Sequence, residues 1–384
     1  MKIPFHKPIT PESLDEIYSD SIRNGWLTTG SIVKKFEDKL KNYLNSKYVI
    51  LLNSCTAGLH LSLLARGFSN GDEFILPALT FASTIECGEY LGLKPVLIDS
   101  SEDSFIFDLN KVEDELKNNS KIKAIIPMHY GGEPVDLDQL NIFSQKYGVF
   151  ILDDAAHALE TRYKSQKIGD TDHASAFSFY ANKNITTGGE GGAVSTNNKE
   201  IADKIKKLSL HGITKDGWNR FNEKGKWEYD ITELGYKYNM TDLSASFGLW
   251  QFKNIHKWHK RRCEIAKRYI TSLSNIEGLI LPQVVEGHAW HLFVIRIKLN
   301  KWNISRDELI KILSAQGIGL AVHYKPINKL SYYKKNYKLN QNDFSNVNQL
   351  FNSVISLPIY PLLSDSEVDY VSNSIKNIYK KYSI

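Results

Sequence analysis

From residue 48 onward the chain alternates short apolar runs with longer stretches of helical periodicity. The runs are Tyr48–Leu52, Glu73–Leu76, Pro95–Ile98, Ala124–Ile126 and Val149–Leu152. Near-continuous apolar strands separated by helices predict an α/β fold with a mostly parallel sheet covered on both faces. Ligands in such folds sit beyond the carboxyl ends of the strands. Each strand's exit is therefore where chemistry is to be sought.

The flanking segments have a different character. Thr10 followed by Pro11 suits the start of a helix that Gly25 can close. In the next predicted helix, from Ser31, the residues Val33, Phe36, Leu40 and Tyr43 fall on one side, so it packs as an amphipathic layer. After about residue 250 the pattern predicts a long charged helix (Ile255–Leu273), a strand (Leu292–Ile297), a helix (Arg306–Gln316), a strand (Leu320–Tyr324) and a helix from Asp365 onward. A chain of 384 residues exceeds the size at which single cores stop growing, roughly 250–300 residues. The expected division is a large domain over residues 1–250 and a smaller α/β domain over 251–384.

Composition narrows the function. With 42% hydrophobic and 24% charged residues the whole chain should fold as a globular protein. The net charge of +5 is spread over helical faces, apart from the cluster Lys257, Lys260, Arg261 and Arg262, which argues against a nucleic-acid partner. No apolar run approaches the ~18 residues of a membrane span, and the opening Met1-Lys2-Ile3-Pro4 lacks a secretory apolar region. The expectation is a cytoplasmic protein with no membrane partner. Cys55, Cys87 and Cys263 show neither CxxC nor Cys/His spacing, so no disulfide framework and no metal site are expected.

The candidate chemistry lies at strand exits. Strand Val149–Leu152 runs into Asp153-Asp154-Ala155-Ala156-His157, where Asp154 can pair with a ring nitrogen or simply cap the following helix. Lys183 follows 29 residues later, and four glycines (Gly188, Gly189, Gly191, Gly192) follow it. Backbone of that kind can approach a ligand closely. Lysine is the side chain that forms Schiff bases, although a surface lysine in a glycine turn is the commoner case. Ser178 could offer a hydroxyl to a phosphate. After strand Tyr48–Leu52, Asn53-Ser54-Cys55-Thr56 precede an apolar helix from Ala57, whose N-terminus is either a phosphate site or an ordinary cap. Phe81 could stack on an aromatic ring or pack in the core. His129 and Tyr130 read as packing or hydrogen-bonding residues.

Taken in order, these segments resemble the DegT/DnrJ/EryC1/StrS family of sugar aminotransferases, within the aspartate-aminotransferase-like fold type I. The resemblance runs from Gly25-Trp26-Leu27-Thr28-Thr29-Gly30 through Thr80-Phe81, Asp153–His157 and Phe177–Gly192 to Gly235–Asp242, Trp290–Phe293, His323–Pro326 and Leu357-Pro358. It implies a seven-stranded sheet and the cofactor pyridoxal 5′-phosphate (PLP), with pyridoxamine phosphate (PMP) formed during turnover. It further implies that Lys183 holds PLP as a Schiff base and shuttles the proton. Asp154 would pair with the pyridine nitrogen, His157 would lie by the 3′-oxygen and Phe81 against the ring. Thr56, the Ala57 backbone and Ser178 would hold the phosphate.

A homodimer with shared sites is implied too. The family's cross-dimer phosphate contact falls on Lys237, where many members carry asparagine, with Asn239 as the alternative. L-glutamate would donate the amino group to a nucleotide-linked keto-sugar, in the first instance a 4-keto-6-deoxy hexose. Trp218, Arg220, His323 and Tyr324 are candidates for the sugar or diphosphate end. Relatives that are sugar dehydratases carry histidine at the Schiff-base position, and Lys183 argues against that branch. A 3-keto-sugar or cyclitol aminotransferase, or a non-catalytic regulator with the same fold, are the other readings.

Overall fold

In a computed structural model, the structure describes residues 1–15, 17–18, 25–213 and 229–384. The large sheet uses strands β1 (Tyr48–Leu52), β2 (Glu73–Pro77), β3 (Lys94–Ile98), β4 (Ile122–Ile125) and β5 (Phe150–Asp154). After a small hairpin of β6 (Arg162–Tyr163) and β7 (Gln166–Lys167), β8 (Ala174–Ser178) and β9 (Gly192–Thr196) complete it. The order is β1-β9-β8-β5-β4-β2-β3. Only β9 runs antiparallel to its neighbours. The expected mostly parallel, seven-stranded α/β architecture is thus observed.

β8 and β9 escape the apolar-run pattern because their sequences, ASAFS and GAVST, are built largely of small and hydroxyl residues. Those residues let a helix lie close on the sheet. Helix Cys55–Ala65 crosses β8 and β9 with Gly58 against them, where a Cβ would come within 2.9 Å of the Val194 side chain. At Gly192 a Cβ would come within 2.5 Å of the Cys55 nitrogen. The strand alternation sends Ile50 and Leu52 into this helical layer, and Val49 and Leu51 into the opposite layer with Phe36 and Leu40 of helix Ser31–Leu44. Both faces of the sheet are therefore covered.

The last third of the chain forms a three-stranded antiparallel sheet of β10 (Leu279–Ile280), β11 (Phe293–Ile297) and β12 (Val354–Leu357), covered by helices Ile255–Leu273 and Asp365–Tyr382. A Ser364/Glu367 capping box starts the final helix. Ile3 joins this C-terminal core beside Tyr269, Phe293 and Ile295, and its backbone bonds to Gly317 and Gly319. The chain's first residues thus share the core of its last third.

Two expected elements differ. The N-terminal segment is extended at Thr10 and Pro11 and turns helical only at Asp15, whose N–H is capped by Ser13. The expected strand Leu320–Tyr324 reduces to a single bridge between Ala321 and Ser356. Beyond His323, which stays at β12 through Ser356, the chain leaves that edge: Tyr324 turns to His157 just past β5, and Pro326 has no N–H to extend a ladder.

Candidate active site

Asp154 ends β5, the central strand, and the parallel pairing of Asp154 with Ala176 brings β8 out of the sheet at the same edge. The β8–β9 loop that carries Lys183 therefore starts beside that carboxylate. Phe179 N–H donates to Gly191, Thr187 N–H and the Thr186 hydroxyl donate to the Phe179 carbonyl, and Lys183 N–H donates to Tyr180. The return needs backbone at φ +93 and +140, which Gly188 and Gly189 adopt without strain.

Asp154 is 2% exposed. Its Oδ2 accepts from Thr84 Oγ1 at 2.6 Å and its Oδ1 from Ala156 N–H at 3.1 Å. Burial pushes its pKa up, opposed by those two donors and by the Lys183 charge. The Lys183 ammonium is pushed the other way, down to about 8, by burial. Cys55 and Asp154 only partly offset that shift. The two groups feel each other's charge, yet no ion pair joins them. At that pKa about a tenth of Lys183 is free amine at pH 7, far more than an unshifted lysine supplies, and free amine is what a nucleophilic lysine requires.

His157 lies in the same enclosure. Its Nδ1 accepts from Gly131 N–H at 3.1 Å and its Nε2 lies 2.9 Å from the Tyr324 hydroxyl. Burial, with Lys183 and His323 nearby, holds its pKa well below the usual value, so the ring is neutral. Because Nδ1 accepts, the proton sits on Nε2 and is donated to Tyr324. Tyr324 thus lies beside His157. Its ring also meets Phe81, 5.8 Å away, whose own ring is 57% exposed at the mouth. His323 turns to Ser356 Oγ at 2.8 Å, and its carbonyl accepts from the Tyr130 hydroxyl.

The helix N-terminus expected to take phosphate is the start of Cys55–Ala65, with Thr56 half-buried there. Ser54 caps the Ala57 N–H at 3.1 Å, so one expected phosphate donor is engaged by the chain itself. Ser178, paired with Gly192, stands next to it. The segment carrying Lys237 and Asn239 runs past: Asn53 N–H donates to Tyr238, and Leu52 bridges Asn239. The Asn239 amide is committed to Thr29 Oγ1 at 2.7 Å, whereas Lys237 is exposed. Trp218 and Arg220 lie outside the described residues.

Sequence reasoning missed a supporting layer. Asn184, next to Lys183, donates to the buried Glu160 at 2.7 Å and meets His291 Nδ1 at 3.1 Å, while the His291 ring packs 4.3 Å from His157. Asn184 and His291 fall in segments that carry the family resemblance, but nothing in the local pattern marks Glu160 or joins the three, because they meet across 24 to 107 positions of chain. Thr84 was equally silent.

Residues 9–376 match the DegT/DnrJ/EryC1/StrS aminotransferase family. The uncharacterized protein MJ1066 of Methanocaldococcus jannaschii is 43% identical over 98% of this chain and 97% of its own. The spore coat polysaccharide biosynthesis protein SpsC of Bacillus subtilis is 41% identical over 98% of this chain and 97% of its own. Among solved structures, the sugar aminotransferase candidate Spr1654 of Streptococcus pneumoniae, in its PLP form, is 32% identical over 99% of each chain with a TM-score of 0.90. The same protein in its PMP form gives the same identity and TM-score. The chain belongs to the DegT/DnrJ/EryC1/StrS aminotransferase family and is a sugar aminotransferase that works with pyridoxal phosphate.

Proposed function

We propose that this enzyme transfers the amino group of L-glutamate to a nucleotide-linked keto-sugar, a 4-keto-6-deoxy hexose, giving an amino-deoxy sugar nucleotide for a surface polysaccharide or glycan. The reading rests on one observation: a half-buried, desolvated amine and a buried carboxylate share the central carboxyl edge of the sheet without pairing with each other. The role of the relative SpsC in spore coat polysaccharide synthesis supports the pathway class. A cytoplasmic location follows from a nucleotide-sugar substrate, and no helix among the described residues is long and apolar enough to cross a membrane.

The residues present fit the cofactor. A carboxylate this buried, with burial raising its pKa, lacks a full counter-charge of its own, and a protonated pyridine nitrogen would supply one. When bound, PLP supplies an electron sink that makes the carbon–hydrogen bond next to the amino group acidic. Asp154 would hold the ring nitrogen in its cationic form. Lys183 would carry the cofactor, and its amine, when free, would hold and move the proton at Nζ. His157, neutral and held by Gly131 and Tyr324, would lie by the 3′-oxygen, and Phe81 against the ring. Thr56, Ser178 and the Ala57 N–H, taken over from Ser54, would hold the phosphate. A second copy of the chain completes the site, with exposed Lys237 as the phosphate cation, since the Asn239 amide is held at Thr29 by one of its N–H groups. His323 lines the sugar side, and Trp218 and Arg220 remain candidates for the diphosphate.

The deciding experiment incubates the enzyme with glutamate and a panel of nucleotide keto-sugars, with mass detection of product. A mass change of ketone to amine on a 4-keto substrate carries the proposal. Amination confined to 3-keto sugars or cyclitols sinks its substrate assignment, and dehydration without amination sinks the reaction.

A further inference from the structure

Thr84 stands in the first turn of helix Ala82–Glu89, wholly buried, and among the described residues its hydroxyl bonds to Asp154 and Thr80. At 2.6 Å the Thr84–Asp154 bond is short and charge-assisted. A threonine hydroxyl has one proton, and an ionised carboxylate can only accept. The Thr84 proton therefore goes to Asp154, and toward Thr80 Oγ1, 2.6 Å away, Thr84 can only accept. Thr80 is 1% exposed, and its one proton is shared between Thr84 and the Met128 sulfur at 3.1 Å. The link that bears on the carboxylate has one direction: Thr84 donates to Asp154.

We infer that Thr84 is a positioning residue that keeps the proton shared between Asp154 and the cofactor ring on the ring nitrogen. The inference rests on the proposed Asp154–pyridine pairing. Two groups compete for one proton there, and the more basic of them holds it. A buried carboxylate is a strong base, which favours transfer of the proton to Asp154 and loss of the ring's positive charge. The Thr84 hydrogen bond stabilises the anionic carboxylate and tips the balance back. Ala156 N–H does the same at the other oxygen but from the backbone, so Thr84 is the side chain whose identity sets the balance.

Thr84→Val keeps the shape and removes the donor; Thr84→Ser keeps the donor. In the cofactor-free protein, carbon-13 NMR of labelled aspartates identifies the Asp154 carboxyl as the resonance lost in Asp154→Asn. Thr84→Val should raise its titration midpoint by about one pH unit, and Thr84→Ser should leave it within about 0.3. In the loaded enzyme, Thr84→Val should slow the single-turnover half-reaction with glutamate about 10- to 100-fold and change the absorbance of the bound cofactor, with unchanged KM for the sugar; serine should restore both. An unmoved midpoint, or serine failing like valine, overturns the inference. If Asp154→Asn itself retains full turnover, the Asp154 pairing fails instead, whatever Thr84 does.

Discussion

The ring end of this site and its phosphate end are built on opposite plans. Asp154 and His157, beside Lys183, are enclosed, and their polar contacts are satisfied by the same chain. Around Thr56, Ser178 and Lys237 the groups are half-buried or exposed, and one donor is provisionally capped by Ser54. Electrostatic control of a proton requires a dry, fixed environment, whereas capture of a dianionic group requires access and free donors. The first can be completed within one chain. The second is left open for the cofactor and, on the proposed reading, for a partner subunit.

That contrast can be broken at either end. The largest effect is expected at the ring end: Lys183→Ala should cost about a thousandfold or more in the half-reaction with glutamate, and borohydride treatment should leave no cofactor attached at position 183. Retained turnover would undo the mechanism.

The next effect is pH dependence. The Lys183 amine is protonated and unreactive below about 8 and free above it. Cofactor capture by the apoprotein should therefore rise about fiftyfold between pH 6 and 8 and level off above. Stopped-flow absorbance tests this, and a profile still rising steeply at pH 10 would mean that Lys183 is not desolvated.

At the phosphate end the effects should be smaller and on retention instead of chemistry. Lys237→Ala should weaken PLP binding about tenfold, the loss of one charge-assisted contact, and more so at low salt. Asn239→Ala should instead lower stability with little change in affinity, because its amide serves Thr29. The reverse pattern in dialysis and denaturation experiments would exchange their roles.

The smallest is packing. Gly192→Ala should destabilise the fold by about 1–3 kcal/mol in urea denaturation, because the methyl meets the backbone at Ser54 and Cys55. It should also loosen cofactor retention by displacing that helix start. Unchanged stability would show that the helix has room to move.

Much of this was legible before any coordinates. The apolar runs located β1 to β5, and the strand-exit rule singled out Asp154. β8 and β9 were not legible as runs, since their small residues are selected by a crossing helix and carry no strand signature of their own. Leu320–Tyr324 looked like a strand by composition, but its neighbours and Pro326 decided otherwise. His323 and Tyr324 read as one pair, yet tertiary contacts turn one to Ser356 and the other to His157. Thr84, Glu160 and the joining of Asn184, Glu160 and His291 left no trace in local pattern, because each is defined by a partner far away in the chain.

Residue order by itself determined the strand–helix alternation, the carboxylate at the end of β5, and a lysine before a glycine-rich return, since each depends on neighbours within a few positions. Only the tertiary structure decided the lowered pKa of Lys183, the tautomer of His157, the Thr84 hydroxyl held on Asp154 and the bond of Asn239 to Thr29. Burial and hydrogen-bond partnership arise from groups that come together only when the sheet closes, and they set the charge on which the chemistry depends.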